Sequence, residues 1–163
     1  MTAPGTAAGV ARAADGPIIR RALVEDAARI AELSEALGYP VAPGALGSRL
    51  DRLLHRAGDV ILVAEAPACG VVGWLHGAEQ ELLESGRRCE ILGLVVDPAH
   101  RGHGVGRLLV AAVEAWAAAR GLALMAVRSN VARSESHPFY ERLGYVRVKT
   151  QHAYRKRLPQ AAP

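Results

Sequence analysis

Aromatic residues are scarce in this chain: one Phe, two Trp and four Tyr among 163 residues. A core must therefore be built from Leu, Val, Ile and Ala, and a composition that is 50% hydrophobic supplies enough of them. The same scarcity removes the interleaving of aromatic and basic residues that marks a nucleic-acid surface. The net charge of +4 is dispersed along the chain, which suits an anionic cofactor, and no nucleic-acid partner is expected. Cysteine is limited to Cys69 and Cys89, too few for a disulfide framework, so both read as structural thiols of a reduced cytosol. No uninterrupted apolar run reaches membrane-spanning length, and no membrane partner is expected. The first residues are rich in Ala, Gly and Thr and lack the apolar centre of a signal peptide. These absences predict a cytoplasmic chain with a flexible tail over 1–16, a single domain over 17–159 and a frayed end at 160–163.

What is present is organised around residues 90–107. An apolar strand, Ile91 to Val96, runs into Asp97-Pro98, and then into Arg101-Gly102-His103-Gly104-Val105-Gly106-Arg107 ahead of an amphipathic helix. Alternate glycines let the backbone turn tightly and expose its amides. They fall where a helix begins, so unpaired N–H groups and the positive dipole end converge on one spot, an anion site suited to phosphate. No Gly-Lys-Ser/Thr closes the loop as in a nucleotide-triphosphate site, and Arg107 stands where a dinucleotide fingerprint needs its third glycine.

Arg101-Gly102-x-Gly104-x-Gly106 after a strand ending Leu-Val-Val-Asp-Pro resembles the acyl-CoA pyrophosphate loop of the GCN5-related N-acetyltransferases, the GNAT family. The resemblance extends to Phe139-Tyr140-Glu141-Arg142-Leu143-Gly144-Tyr145, and more loosely upstream to about Ile18. It implies an α/β (α+β) fold, a mixed and mostly antiparallel sheet flanked by helices, with a splayed parallel strand pair at the acyl-CoA site. It also implies acetyl-CoA as cofactor, coenzyme A as product, and transfer of the acetyl group to a primary amine by direct attack. The acceptor expected is a small-molecule or aminoglycoside-like amine. A protein amino group and a non-catalytic acyl-CoA-binding or regulatory module are the alternatives, and a homodimer is left open.

In chain order, Ile18 to Arg21 predicts a strand. Glu25 and Asp26 open a helix with Ile30, Leu33 and Leu37 on its apolar face, stopped by Gly38. Pro43 starts a second helix carrying Leu46, Leu50, Leu53 and Leu54. Val60 to Ala64 and Val71 to His76 read as strands joined by a turn at Pro67 to Gly70. Glu79, Glu81 and Glu84 read as an acidic cluster around a turn at Ser85-Gly86, able to attract a cationic amine if near the acceptor. Gly93 marks a bulge or a close backbone approach. Val105, Leu108, Leu109, Ala112, Val113 and Trp116 form one helical stripe. Leu122 to Val127 is a buried parallel neighbour of the central strand. A helix over Pro138 to Leu143 precedes a final antiparallel pair, Tyr145 to Lys149 with His152 to Arg157.

Site roles follow from the resemblance together with position. Amides of Gly102, His103, Gly104 and Gly106 would bind pyrophosphate, with Val105 in the same turn and Arg101 and Arg107 adding charge. The backbone of Leu94, Val95 and Val96 would pair with the pantetheine arm, and an amide near Val95 would polarise the thioester carbonyl. Tyr140 is the candidate acid, with His137 either supporting it or capping its helix. Glu90, read as alternating to the face of Leu94, is the candidate base, or else an ordinary strand-end carboxylate. Where the family carries Asn seven residues before the tyrosine, Arg133 stands here, and Ser136 holds the small position after it. Either Asn130 or Arg133 then meets the cofactor. Tyr39, Trp74 and His76 are candidate substrate-binding residues, each with a packing alternative, and His76 is also weighed as a base. No metal is expected.

Overall fold

The computed structural model describes residues 16–36 and 38–159. The predicted tail up to residue 15, Leu37 and the predicted frayed end at 160–163 lie outside the described residues. Contacts divide the chain into two compact units, one ending at Arg128 and one beginning at Ser129.

The first unit is a five-stranded sheet flanked by helices. Its strands are β1 (Ile18–Arg21), β2 (Asp59–Ala66), β3 (Gly70–Leu82), β4 (Gly86–Val96) and β5 (Met125–Val127), and their spatial order is the chain order. Pairing is antiparallel from β1 to β4 and parallel between β4 and β5. This is the mixed, mostly antiparallel sheet that the family resemblance implies. Helices α1 (Ala27–Glu35) and α2 (Pro43–Leu54) come before β2, and α3 (Val105–Ala119) crosses between β4 and β5. Pro43 stands in the first turn of α2, where its missing N–H costs no hydrogen bond.

Strand register assigns each side chain to a face. Gly73, Leu75 and Gly77 of β3 share one face with Val60 and Leu62 of β2. Against that face α3 lays Val105, Leu109 and Val113, all buried. The two glycines are required there, because a Cβ on Gly77 would lie 2.5 Å from a Val113 methyl, and one on Gly73 would lie 2.9 Å from the Val95 carbonyl oxygen. The opposite face carries Ile61, Val63, Trp74 and Val95, and packs against Ile30, Leu33 and Leu50 of α1 and α2. The stripe of α3 is rotated slightly from the predicted one. Val110 and Ala117 are buried, while Trp116 is only half-buried beneath the Arg120 guanidinium, 4.9 Å from the ring centre.

Two strands run longer than predicted. β3 continues past His76 to Leu82 and β4 starts at Gly86, so the acidic stretch is mostly hairpin rather than turn. Glu81 faces Arg87 across the ladder, and Glu79 accepts hydrogen bonds from Arg87 (2.7 Å) and Arg120 (3.0 Å). Opposite charges across strands favour this pairing, so Glu79 of the predicted acidic cluster is matched by Arg87 and Arg120.

In β4 the register slips by one residue between Ile91, which faces Gly77, and Gly93, which faces His76. Leu92 is the extra residue and is half exposed. The bulge inverts the alternation beyond it. Glu90 faces Ala78 and Leu94 faces Leu75, so the two lie on opposite faces, not on one as the unbroken pattern predicts. Parallel pairing with β5 ends at Ile91. The predicted strand from Leu122 is regular only over Met125–Val127, although the Leu124 carbonyl already accepts from the Cys89 amide at 2.9 Å.

Among its described residues, the second unit contains α4 (Ser136–Arg142) and no other regular element. The predicted pair, Tyr145 to Lys149 with His152 to Arg157, is absent from the described residues. Both segments are basic (Arg147 and Lys149 against Arg155, Lys156 and Arg157), so pairing them would juxtapose like charges. Val146, Val148 and Tyr154 are exposed, each by 80% or more of its surface, leaving no buried face to drive the ladder.

The seat of α3 gives a direct test. Gly77→Ala should destabilise the fold by about 1–3 kcal/mol through overpacking against Val113, read by urea unfolding. Adding Val113→Ala should recover part of the Gly77→Ala penalty by double-mutant analysis. A Gly77→Ala protein as stable as the parent would show that α3 does not pack at this distance.

Candidate active site

The loop after β4 is built as the sequence indicates. Pro98–His100 forms one 3-10 turn, capped by the Asp97 carboxylate, which accepts the Ala99 amide at 2.9 Å. That amide, and the Arg29 guanidinium beyond it, hold the Asp97 carboxyl below its ordinary range. Arg29 also donates to the Val71 carbonyl, so α1 is tied to the base of the loop. Gly102 and Gly104 adopt φ of +79° and +81°, which side chains rarely adopt, and Gly104 caps α3. Among the described residues, no atom lies within 4 Å of where a Gly102 Cβ would stand, and only an Arg107 guanidinium nitrogen is met from Gly104, at 4.0 Å. The first amides of α3 have no acceptor within the helix. Open backbone beside a helix N-terminus fits a pyrophosphate.

β4 presents its free edge just before this loop. The Asp97 amide donates across the ladder to the Val72 carbonyl at 2.8 Å. Backbone groups alternate along a strand, so Val95 also points toward β3, while Leu94 and Val96 point toward the side that β5 leaves open. An amide aimed at a thioester carbonyl therefore belongs to Leu94 or Val96 rather than Val95. The Val96 carbonyl already accepts from the Arg101 Nε at 3.1 Å, which folds Arg101 back along this edge.

On the α1–α2 face, beside the bulge, lies a cavity of about 350 Å³. Tyr39, Trp74 and His76, the three residues singled out from the sequence for substrate binding, all line it, together with Arg49, Leu92 and Gly93. Gly93 is needed for a second reason. The Trp74 indole covers it so closely that a Cβ would stand 2.8 Å from two ring carbons. The indole Nε1 is buried without a hydrogen-bond partner among the described residues, a cost of about 1–3 kcal/mol that a ligand oxygen would offset.

His76 stands opposite Gly93 in the ladder, and its Nε2 lies 2.7 Å from an oxygen of Asp59. Asp59 opens β2, is buried, and is also paired with Arg56 at 3.1 Å. Sequence reasoning passed over Asp59. The available signal was a lone carboxylate at the head of an apolar strand.

Glu90 does not have the surroundings of a base. It is 2% exposed, and Arg128 (2.6 Å) and Arg88 (2.9 Å) each bind one of its oxygens. Burial pushes its pKa up, but the bonds from Arg128 and Arg88 outweigh burial and hold it below the ordinary carboxylate range. A carboxylate so held is a weak proton acceptor and a strong anchor between β4 and the end of β5. Cys89 beside it is a buried thiol pushed up to about 11 by desolvation, consistent with a structural role.

Asn130, Arg133 and Tyr140 fall in the second unit. The Asn130 side-chain oxygen accepts the Ala132 amide at 2.9 Å, and its backbone carbonyl takes the Arg133 amide (2.9 Å) and lies 3.1 Å from the His137 Nε2. His137 thus ties the loop to α4. Tyr140 packs edge-on against Phe139 and Tyr145. Burial raises its pKa to about 12, against a small opposing effect of Arg133, so the phenol keeps its proton at neutral pH.

Comparison with known proteins agrees with this geometry. Residues 24–145 match the family model described as Acetyltransferase (GNAT) family, and the chain belongs to that family. It is 31% identical over 136 residues to an aminoglycoside N(6')-acetyltransferase type 1 of Stenotrophomonas maltophilia, covering 81% of this chain and 88% of the relative. Two solved structures share the fold. Aminoglycoside N-acetyltransferase AAC(6')-Iy, in complex with CoA, superposes with a TM-score of 0.79 at 20% identity, over 91% of this chain and all of the other. AAC(6')-Ih of Acinetobacter baumannii gives 0.77 at 19%, over 88% and all of the other. The chain is therefore an acyl-CoA-dependent N-acetyltransferase that uses acetyl-CoA. No helix among the described residues is long and apolar enough to cross a membrane.

The clamp on Glu90 predicts a pH signature. A depressed folded pKa contributes stability that is present above the unfolded value and lost as pH falls through the folded one. Glu90→Gln should cost about 1–3 kcal/mol at pH 7, and the gap from the parent should narrow in acid, below the ordinary carboxylate range. Urea unfolding at pH 7 and in mild acid measures it. A gap that stays constant would contradict an ionised clamp.

Proposed function

We propose that the chain acetylates a small-molecule primary amine, of the aminoglycoside-like class, seated in the cavity beside the β4 bulge. The observation that carries this reading is the cavity itself. It is of ligand size, mostly apolar with a few polar groups, and lies next to the free edge of β4. A protein amino group would call for an open groove instead. The aminoglycoside acetyltransferases among the relatives support the same substrate class.

Acetyl-CoA, when bound, supplies an acetyl group activated as a thioester. Amides of Gly102, His103, Gly104, Val105 and Gly106 hold its pyrophosphate, with Arg107 adding charge and Arg101 braced against the strand. The outward amides of Leu94 and Val96 pair with the pantetheine arm, and one of them polarises the thioester carbonyl. Either Asn130 or Arg133 is the further cofactor contact, in place of the family's usual asparagine. Tyr140 donates a proton to the departing sulfur, a role its retained phenolic proton permits. Tyr39 and Trp74 bound the amine, and the Trp74 Nε1 donates to an acceptor oxygen.

Two variants separate cofactor binding from chemistry. Gly104→Val puts a branched side chain at φ +81° in the pyrophosphate loop. It should weaken acetyl-CoA binding at least tenfold by calorimetry, in a protein whose circular dichroism is unchanged. Tyr140→Phe should keep that affinity and lower turnover by about ten- to a thousand-fold, with magnitudes set by general acid catalysis. Thiol release on a panel of aminoglycosides, small diamines and peptides reads the acceptor. A peptide preferred over every small amine would refute the cavity reading, and full turnover in Tyr140→Phe would remove the phenol from the chemistry.

A further inference from the structure

We infer that His76 is the base that takes the proton from the acceptor ammonium, and that Asp59 is the positioning residue that makes it one. This rests on the acetyl-transfer reading above.

The geometry has three parts. First, the His76 ring lines the amine cavity and stands opposite Gly93 at the bulge, where β4 parts from β5. Second, its Nε2 is 2.7 Å from a buried Asp59 oxygen. A carboxylate accepts but does not donate, so the neutral ring carries its proton on Nε2 and leaves Nδ1 as a lone-pair acceptor. No partner of Nδ1 is found among the described residues. Third, Asp59 is fixed in turn by Arg56 and is the residue that would stabilise a newly formed imidazolium. Glu90, another carboxylate on this sheet face, has both oxygens bound by guanidinium groups and is poorly placed to compete.

The proton balance is simple. The ammonium gives one proton to the Nδ1 of His76, directly or through one water, and the freed nitrogen lone pair forms the C–N bond to the acetyl carbon. The C–S bond breaks, and its electron pair leaves on sulfur. The nitrogen sheds a second proton and the sulfur takes one up, so the products are the amide, the thiol and one proton passed from His76 to solvent. No oxidant or further reactant is needed.

The charged and titratable groups around His76 are Asp59 and Arg56 behind it, Tyr39 and Arg49 across the cavity, and Glu90 on the neighbouring strand with its clamps, Arg88 of that strand and Arg128 at the end of β5. Arg49 disfavours a second positive charge and so favours transfer of the proton onward to solvent.

The test combines kinetics with a measurement that needs no acceptor. With the best amine of the panel, His76→Gln should lower kcat/KM by roughly 10²- to 10⁴-fold at pH 7, the range of general base catalysis. The loss should shrink at high pH, where the amine is already free. Asp59→Asn should give a smaller loss, carried by kcat rather than KM. In the parent protein, long-range proton–nitrogen NMR should find the His76 ring protonated on Nε2 alone when neutral. A parent enzyme that acetylates no amine would sink the acetyl-transfer reading and this one with it. An active parent with an undiminished His76→Gln variant, or with one impaired equally at every pH, would overturn the base alone. So would an Nδ1-protonated ring, whether or not the variants fold.

Discussion

One inserted residue in β4 governs the arrangement of this molecule. With Leu92 bulged out, β4 keeps its antiparallel ladder with β3 on either side but stops pairing with β5 at Ile91. The lost pairing leaves backbone groups of Leu94 and Val96 without a strand partner, at the position from which the glycine loop departs. An unpaired strand edge is a standing demand for a hydrogen-bonding partner, and an extended amide-containing arm satisfies it. The same insertion turns Gly93 toward the α1–α2 face, where the Trp74 indole covers it and the cavity opens. The free edge of β4 and the cavity are thus two consequences of a single register slip, and both lie beside the bulge.

Around the bulge, buried and half-buried charge is matched group by group. Glu90 is held by Arg88 and Arg128, Asp59 by Arg56 and His76, and Asp97 by Arg29 and the Ala99 amide. Each link joins a strand end to a neighbouring element: β4 to the end of β5, the head of β2 to β3, and the end of β4 to α1. Unpaired, a buried carboxylate would be costly. Paired, these groups hold the strand ends where the chemistry needs them. Of the three, only the Asp59 cluster includes an imidazole, that of His76, whose second ring nitrogen can carry a lone pair.

The sequence was most legible where the signal is local. Pro43 at a helix start, the alternate glycines before α3, and the apolar strands each declare themselves within a few residues. Tyr39, Trp74 and His76 were identified from their segment and strand parity, and they do share a cavity. The errors arose where the outcome depends on partners distant in sequence. Glu90 and Leu94 follow simple alternation on paper, yet a bulge defined against β3 puts them on opposite faces. Glu90 looked like a base by resemblance to a glutamate that some family members use in this strand, while its clamp by Arg128, thirty-eight residues on, is not marked by spacing. The strand pattern of Tyr145 to Lys149 is real, but a strand also needs a neighbour of compatible charge. Asp59 went unnoticed because its significance lies in the histidine seventeen residues later that returns across the ladder.

The claim that the bulge joins the cofactor edge to the amine cavity is tested most directly by a crystal structure of the protein with coenzyme A. It should show the pyrophosphate on the amides of Gly102 to Gly106 and the pantetheine arm bonded to the outward groups of Leu94 and Val96. The thiol should reach the bulge, with the cavity lined by Tyr39, Trp74 and His76 still open beside it. A pantetheine arm lying in that cavity, or a pyrophosphate bound away from the glycine loop, would contradict the account.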